Sequence, residues 1–209
     1  MIQGIKHIIF DLGGVILNID YQLTQKAFAD LGIHPREGLY SQQAQSEIFD
    51  SLEIGKLSGD KFIQHIQSLS DQVITEKQVR EAWNAMLLDF PLRRLQILQQ
   101  LQLHYNIFLL SNTNEIHELE FNKQLQRVCG YPSLAVFFDK VYLSHRVGMR
   151  KPDAAIFEHV LNDNQLQAHE TLFIDDSLQH IQTAQRLGIQ VIHMTNGMTM
   201  EETVFKPKS

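Results

Sequence analysis

The stretch Ile8-Ile9-Phe10-Asp11-Leu12-Gly13-Gly14-Val15 decides the fold, because an apolar run ends there on one acidic residue and two glycines. A short apolar run bounded by turn residues indicates a buried strand. A carboxylate at the carboxyl end of such a strand stands at the rim of an open α/β sheet, where these folds bind ligands. Asp11 is therefore the candidate nucleophile, and the glycines let the backbone approach a ligand or adopt a positive φ. Taken alone, the same residues also fit an ordinary turn that ends a strand.

Four further segments have the composition of strands, and helical patterns separate most of them. They are residues 106–110, 140–143, 171–174 and 190–194. Strands that alternate with amphipathic helices are typical of a parallel sheet. Ser111 and Asn112 follow the first of these segments, and Asp175 and Asp176 follow the third. Because the carboxyl ends of parallel strands share one edge, these residues are expected to converge with Asp11. The predicted fold is α/β, with a Rossmann-like parallel sheet core.

Between the first strand and the second, the pattern changes to helices that follow one another directly. Apolar residues at helical spacing predict four helices there, and residues 75–78 (Thr-Glu-Lys-Gln) fit a capping box at the start of the fourth. We predict an α-helical cap over residues 18–89, inserted into an α/β core formed by residues 1–17 and 90–209.

Composition excludes several classes of protein. The chain has 209 residues, 44% of them hydrophobic, which is ample for a packed interior. Its net charge of −6 and the lack of any Lys or Arg run argue against nucleic acid or an anionic membrane as partner. The first residues do not resemble a signal peptide and no long apolar run occurs, so a cytoplasmic location is expected. Nothing in the composition specifies an oligomeric state.

Four motifs occur in the order typical of the haloacid dehalogenase-like hydrolases, and the chain resembles that superfamily over its whole length. They are DLGGV at residues 11–15, LSNTN at 110–114, GMRKP at 148–152 and FIDDS at 173–177. Within the superfamily, residues 111–114, 143–144 and 149–152 look most like the bacterial branch that includes glucose-1-phosphate phosphatases, which carries a helical cap after the first motif. Each motif alone is weak evidence, but four in the correct order are specific.

The resemblance implies an enzyme in which Asp11 attacks phosphorus to give an aspartyl-phosphate that water then hydrolyses. It also implies Mg²⁺, which relieves the repulsion between a carboxylate and an anionic phosphate. The implied metal ligands are Asp11, the backbone carbonyl of Gly13 and Asp176, with Asp175 either ligating directly or holding a bound water. Lys151 would lie beside the phosphoryl group, whose oxygens would be bound by Ser111, Asn112 and the backbone amides of Leu12 and Gly13.

Several of these residues also have ordinary structural interpretations. Asp175 and Asp176 fit a pair of acids that caps a helix N-terminus. Lys151 fits a solvated loop residue, and Ser111 fits a hydroxyl at a strand end. Trp83 fits the core of the cap, although Trp83 and Asn84 lie where the resembling phosphatases have a Trp followed by an amide, which makes them candidates for substrate specificity.

One departure from the superfamily pattern concerns Gly13, since most of its phosphatases have a second acid there that protonates the leaving oxygen. General acid-base help is worth roughly 10² to 10⁴ in rate. Three explanations fit: a substrate with a good leaving group, such as a sugar 1-phosphate; a proton supplied by a cap residue such as Asp20; or loss of catalysis. The first fits the resembling branch, which also has glycine there.

The expected function is therefore Mg²⁺-dependent hydrolysis of a small phosphorylated metabolite, a phosphomonoester such as a hexose 1-phosphate. The alternatives are a metal-independent 2-haloacid dehalogenase, in which Asp11 attacks carbon, and a catalytically weakened protein that binds a phosphate ligand. The pair Asp175 and Asp176 argues against the dehalogenase, which needs no metal. Retention of a nucleophile argues against a pure binding protein.

Overall fold

The computed structural model describes residues 2–33, 47–195, 197–200 and 204. Its five strands form one sheet in the order β3, β2, β1, β4, β5, and all four pairings are parallel. The strands are β1 His7–Phe10, β2 Asn106–Ser111, β3 Lys140–Leu143, β4 Thr171–Asp175 and β5 Gln190–His193. The prediction of an α/β fold with a Rossmann-like parallel sheet is confirmed.

Nine α-helices occur in the described residues. They are α1 Tyr21–Asp30, α2 Glu47–Glu53, α3 Gly59–Ser68, α4 Glu76–Asn84, α5 Leu92–Leu101, α6 Glu115–Cys129, α7 Ser144–Val147, α8 Ala154–Asp163 and α9 Leu178–Arg186. Within these same ranges, no helix combines the length and apolarity that a membrane crossing requires.

The register around β1 brings the polar strand ends together. Phe10 pairs with Leu109 of β2 on one side and with Ile174 of β4 on the other. The residues that follow these positions therefore reach the same edge of the sheet. The backbone amide of Asp11 continues the ladder by donating to the carbonyl of Ile174 at 2.9 Å.

Both faces of the sheet are covered by apolar residues, because side chains alternate along β1. Ile8 and Phe10 pack in one core with residues of α5 and α6, whereas Ile9 packs in a second core with residues of α8 and α9. A strand buried on both faces is typical of parallel sheets. Because β1 is packed on both faces, Asp11, which follows it directly, is held at the edge of the sheet.

The helices α1 to α4, which we call the inserted helices, all fall within residues 18–89. They enclose a separate apolar cluster around Trp83, which has no exposed surface. The capping box at the start of α4 is confirmed, because the Thr75 side chain accepts from the amide of Gln78 and the Gln78 side chain accepts from the amide of Thr75. Residues 34–46, with part of the predicted second helix, lie outside the described residues. The division at residues 18 and 89 stays a prediction.

The sequence prediction omitted α6, whose start connects the inserted helices to the sheet. The Asn114 side chain caps α6 by accepting from the amides of Ile116 and His117, both at 3.1 Å. His117 is buried, stacks on Trp83 at 4.6 Å between ring centroids and bonds the Trp83 carbonyl through Nε2 at 3.1 Å. Its Nδ1 faces the Asn114 amide, so the neutral ring with a proton on Nε2 satisfies both contacts.

We expect His117 to make stability depend on pH. Burial lowers the pKa of His117 to about 4, from the 6.5 of an ordinary histidine. Between these values the unfolded chain binds a proton that the folded chain does not, so the free energy of unfolding falls as the pH is lowered. The loss between pH 8 and pH 5 should be about 2 kcal/mol from this group. His117→Gln, which keeps hydrogen-bonding groups, should lose that part of the pH dependence in urea unfolding measured across this range.

The matched control is His104→Gln, at an exposed histidine. It should retain the pH dependence of the wild-type protein. An unchanged pH dependence in His117→Gln would contradict the prediction.

Candidate active site

Lys151 stands at the centre of the polar residues at the sheet edge. Its Nζ donates to Oδ1 of Asp11 at 2.8 Å and to Oδ2 of Asp175 at 2.7 Å. The lysine and Asp175 have no exposed surface, and Asp11 is 8% exposed. The structure thus brings together one acid that follows β1, one that ends β4, and a lysine from the loop after α7. Because Lys151 is fully buried, it is not the solvated loop residue that the sequence also allowed.

The loop that carries Lys151 is held by Asn112. The Asn112 side chain accepts from the amide of Lys151 at 2.9 Å and donates to its carbonyl at 2.8 Å. The peptide bond between Lys151 and Pro152 is cis. Ser111 is buried at the end of β2, and its hydroxyl lies 3.4 Å from the carbonyl of Asn112. The two bonds of the Asn112 side chain therefore hold the backbone of Lys151 in position.

Asp175 is held on both of its oxygens. Oδ1 accepts from the amide of Ser177 at 2.7 Å, Oδ2 accepts from Lys151, and Nδ1 of His180 lies 3.0 Å from each oxygen. Ser177 occupies the N-cap position of α9 without a side-chain cap bond, so the carboxylate of Asp175 satisfies the start of the helix instead. Asp175 is thus both a helix-capping residue and a partner of Lys151.

Asp176 completes an acidic cluster with Asp11 and Asp175. One carboxylate oxygen from each residue lies within 4.8 Å of the other two. Gly14 makes this approach possible, since it has a φ of +73° and a Cβ there would overlap with Oδ2 of Asp176. Any other residue at position 14 would be strained and would displace this acid.

The position of the missing acid, Gly13, is covered by Ile19. A Cβ added at Gly13 would lie 2.9 Å from Cδ1 of Ile19. An aspartate at this position would have to displace the isoleucine. The segment that enters α1 therefore lies directly over Gly13.

The charged groups of this cluster shift one another's pKa values. Burial raises the pKa of Asp11, and the ammonium of Lys151 opposes that shift. Burial would also raise the pKa of Asp175, but Lys151 and His180 lower it to about 2. Burial alone would lower the pKa of Lys151, yet the two carboxylates raise it above its ordinary value. Lys151 is therefore charged at neutral pH.

The donor set fits a divalent cation. Three carboxylates and one ammonium leave a net charge of −2 when all are ionised, and carboxylate oxygens are the ligands that Mg²⁺ prefers. Lys151, Ser177 and His180 engage both oxygens of Asp175, so this residue is placed to orient the other two acids.

The remaining predicted residues are distributed around this centre. Leu12 and Gly13 lie in the loop that starts at Asp11, and Leu12 is buried. The carboxylate of Asp20 caps α1 by accepting from the amide of Gln22 at 2.9 Å. Trp83 lies in the core of the inserted helices, one of the two roles that the sequence allowed. Asn84, at the end of α4, is half-buried.

Sequence reasoning missed the contacts of two residues near this centre, His180 and Arg150. His180 contacts Asp175, and the only signal was its place on the first turn after the acid pair. Arg150 contacts two acids of α2, Asp50 and Glu53, the latter at 3.1 Å from Nη2 to Oε2. No sequence pattern connects residues so far apart.

Comparison with known proteins gives one family and several similar chains. Residues 5–188 match the family described as haloacid dehalogenase-like hydrolase. A D-ribitol-5-phosphate phosphatase of Bacteroides thetaiotaomicron is 34% identical over 198 residues, which are 92% of this chain and 93% of that protein.

Two solved structures are similar in fold and sequence. One is a haloacid dehalogenase family enzyme from Bacteroides thetaiotaomicron, an aspartate-to-alanine mutant in complex with magnesium and inorganic phosphate. It is 32% identical, with a TM-score of 0.90 over 97% of this chain and 100% of that one. The other, a predicted hydrolase of this type from Porphyromonas gingivalis, is 30% identical, with a TM-score of 0.85 over 96% of both chains.

Proposed function

Since the chain belongs to the haloacid dehalogenase-like hydrolases, we propose that it is a Mg²⁺-dependent phosphatase that uses Asp11 to hydrolyse a small sugar or polyol phosphate. The observation that carries this proposal is the buried contact of Lys151 with Asp11 and Asp175 beside Asp176. A nucleophile, a fixed positive charge and an acidic cation site at one sheet edge are the parts that phosphoryl transfer needs.

In the first half of the reaction, Asp11 acts through its carboxylate. Oδ1 is held by Lys151, so Oδ2 is the oxygen that attacks phosphorus. The new bond joins Oδ2 to phosphorus while the bond from phosphorus to the ester oxygen breaks, which leaves an aspartyl-phosphate and an alkoxide that takes a proton from water to become the alcohol. Lys151 holds the nucleophile in one orientation and offsets negative charge on the phosphoryl oxygens.

In the second half, the oxygen of a water molecule bonds to phosphorus, the bond between Oδ2 and phosphorus breaks, and a proton of the water passes to solvent, which releases inorganic phosphate and restores the Asp11 carboxylate. The phosphoryl oxygens would be held by Ser111, by Lys151 and by the backbone amides of Leu12, Gly13 and Asn112. The side chain of Asn112 serves Lys151 and contributes through that residue.

Magnesium would be held by Asp11, by the backbone carbonyl of Gly13 and by Asp176, with Asp175 supporting them. When bound, the cation would neutralise the phosphate and orient it for in-line attack. The supporting role of Asp175 follows from its contacts with Lys151, Ser177 and His180, which engage both oxygens.

Gly13 stands where most related phosphatases have an acid that protonates the leaving oxygen, so the leaving group of the substrate matters for the rate. A hexose 1-phosphate, whose anomeric oxygen departs easily, would need little help from a proton donor. The similarity to a D-ribitol-5-phosphate phosphatase favours an open-chain polyol phosphate instead. Asp20 is engaged in capping α1, which makes it a weaker candidate for the proton donor.

The proposal is tested by assaying phosphate release from a panel of phosphate esters with Mg²⁺ and with EDTA. We expect hydrolysis of sugar and polyol phosphates with Mg²⁺ and a loss of about 10²-fold or more with EDTA, because the cation contributes several kcal/mol to the transition state. The loss should reverse when Mg²⁺ is added in excess.

Equal rates with and without the metal would contradict the proposal. Chloride release from 2-haloacids without phosphatase activity would identify a dehalogenase. Binding of phosphate esters without turnover would identify a binding protein.

A further inference from the structure

Asp176, one of the proposed metal ligands, lies in a short connection between two regular elements. Asp175 ends β4 and Ser177 is the N-cap residue of α9, so Asp176 belongs to neither the strand nor the helix. Its carboxylate nevertheless needs a defined position, because Mg²⁺ demands near-octahedral geometry with metal–oxygen distances of about 2.1 Å. The contacts that hold the backbone of Asp176 therefore bear on the metal site.

Strand β5 runs alongside this connection. His193 pairs with Asp175 in the parallel register, and the amide of Met194 donates to the carbonyl of Asp175 at 2.9 Å. Side chains alternate between the two faces along a strand. Ile192 packs in the core shared with α5 and α6, whereas Val191 packs in the core shared with α8 and α9. His193 therefore lies on the same face as Val191, the face that α9 covers.

The imidazole of His193 reaches the connection from this face. Its Nε2 lies 3.0 Å from the backbone carbonyl oxygen of Asp176. A carbonyl oxygen accepts hydrogen bonds and cannot donate them, so Nε2 carries a proton and is the donor in this contact. The bond restrains the peptide group that joins Asp176 to Ser177. It thereby restrains the direction in which the side chain of Asp176 leaves the backbone.

Gly14 limits the carboxylate end of the same residue. A Cβ at Gly14 would overlap with Oδ2 of Asp176, so this carboxylate lies directly against the backbone that follows β1. The contact leaves the side chain little space in which to compensate for a shift of its own backbone. Such a shift would therefore move the carboxylate relative to Asp11, with which it forms the acidic cluster.

We propose that His193 is a positioning residue for the divalent cation, because its bond to the carbonyl of Asp176 holds that acid in the orientation that binds Mg²⁺. The proposal rests on the function proposed above and adds a residue to its metal site. His193 acts through Asp176 and contacts neither the cation nor the substrate. Removing an outer partner of this kind typically weakens metal binding by about 10-fold to 100-fold.

The test measures binding of Mn²⁺ to the protein without substrate by electron paramagnetic resonance, with Mg²⁺ as the competitor. His193→Leu removes the donor and keeps an apolar side chain, and it should raise the dissociation constants of both ions by about 10-fold. His193→Gln places an amide donor at a similar distance from the backbone, so it should bind both ions nearly as tightly as the wild-type protein.

Phosphatase assays should show the same effect in a second way. His193→Leu should need about 10-fold more Mg²⁺ than the wild-type protein for half of its maximal rate. Its kcat at saturating Mg²⁺ should be retained, because the nucleophile and Lys151 are unchanged.

His7→Leu is the matched control. His7 is also half-buried, and its ring lies 3.2 Å from the side-chain amide of Asn106. It begins β1, however, and therefore lies at the end of the sheet opposite to the acidic cluster. This variant should bind Mn²⁺ with wild-type affinity, even if urea unfolding shows a loss of stability.

If His193→Leu does not fold, His193→Asn takes its place. The side chain of asparagine is one methylene shorter than that of glutamine, so its amide does not reach the carbonyl of Asp176. The pair of amide variants then compares a donor within reach with one out of reach.

Wild-type affinity for Mn²⁺ in the variant without the donor would overturn the proposal. Equal losses in His193→Gln or in His7→Leu would also overturn it, since the bond to Asp176 would then not be the cause. These outcomes leave the phosphatase intact. Mn²⁺ binding without hydrolysis of any phosphate ester would contradict the proposed function, and the binding measurements would still decide the role of His193. A wild-type protein that does not bind Mn²⁺ would contradict both.

Discussion

Replacing Asp11 by asparagine is expected to lower phosphatase turnover by a factor of about 10⁴ or more. The amide has the same shape and its oxygen still accepts a hydrogen bond, so the contact with Lys151 is retained. It is not a nucleophile, however, and no other residue with a nucleophilic side chain replaces it at the end of β1. The measurement is steady-state phosphate release with Mg²⁺, together with a test for a covalent adduct by beryllium fluoride trapping.

The control for this variant is Asp71→Asn, at an exposed residue outside the acidic cluster. It should keep wild-type turnover. Beryllium fluoride should stabilise the wild-type protein in the presence of Mg²⁺ and have no such effect on Asp11→Asn. Appreciable turnover in Asp11→Asn would exclude Asp11 as the nucleophile.

Replacing Lys151 by methionine is expected to destabilise the protein by about 3 to 5 kcal/mol in metal-free buffer. The ammonium is the cation between Asp11 and Asp175, and its removal leaves two buried carboxylates without their shared partner. The repulsion between them would remain in the folded state and disappear on unfolding. The free energy of unfolding, measured by urea titration, reports this loss, and phosphatase activity should be lost as well.

Two further variants show whether charge is the cause. Lys77→Met removes a lysine whose side chain is 83% exposed and should change stability by less than about 0.5 kcal/mol. The double variant Lys151→Met with Asp175→Asn removes one of the two repelling carboxylates, so it should regain about 1 to 3 kcal/mol over Lys151→Met alone. No recovery in the double variant would assign the loss to packing rather than to charge.

The sheet and the acidic cluster were predictable because they depend on local patterns. The apolar run before Asp11 and the run before Asp175 each mark a strand by composition, and parallel pairing then determines which strand ends meet. The capping box at Thr75 is equally local, since its two hydrogen bonds join residues three apart. Lys151 lies in a loop that has no strand or helix pattern of its own. Its place beside Asp11 was predicted only from the order of the four motifs.

The contacts of the inserted helices were not predictable in the same way. Glu53 has the sequence pattern of a charged residue at a helix end. Its contact with Arg150, which precedes Lys151, depends on how the inserted helices pack on the sheet. Asn114 and His117 show the same limit, because their roles in α6 depend on a stack with Trp83 across two parts of the chain.

The two hydrogen bonds between Asn112 and the backbone of Lys151 have a thermodynamic consequence. A free lysine loses about 1.5 to 2 kcal/mol of side-chain conformational entropy when it is immobilised. In this protein the side-chain amide of Asn112 holds the backbone of Lys151, and the carboxylates of Asp11 and Asp175 hold its Nζ. The conformational entropy of Lys151 is therefore lost during folding. In the proposed reaction, a phosphate that arrives at the sheet edge would meet an ammonium that is already in position. Binding should therefore require little ordering of this residue, and the affinity for phosphate is not reduced by that cost.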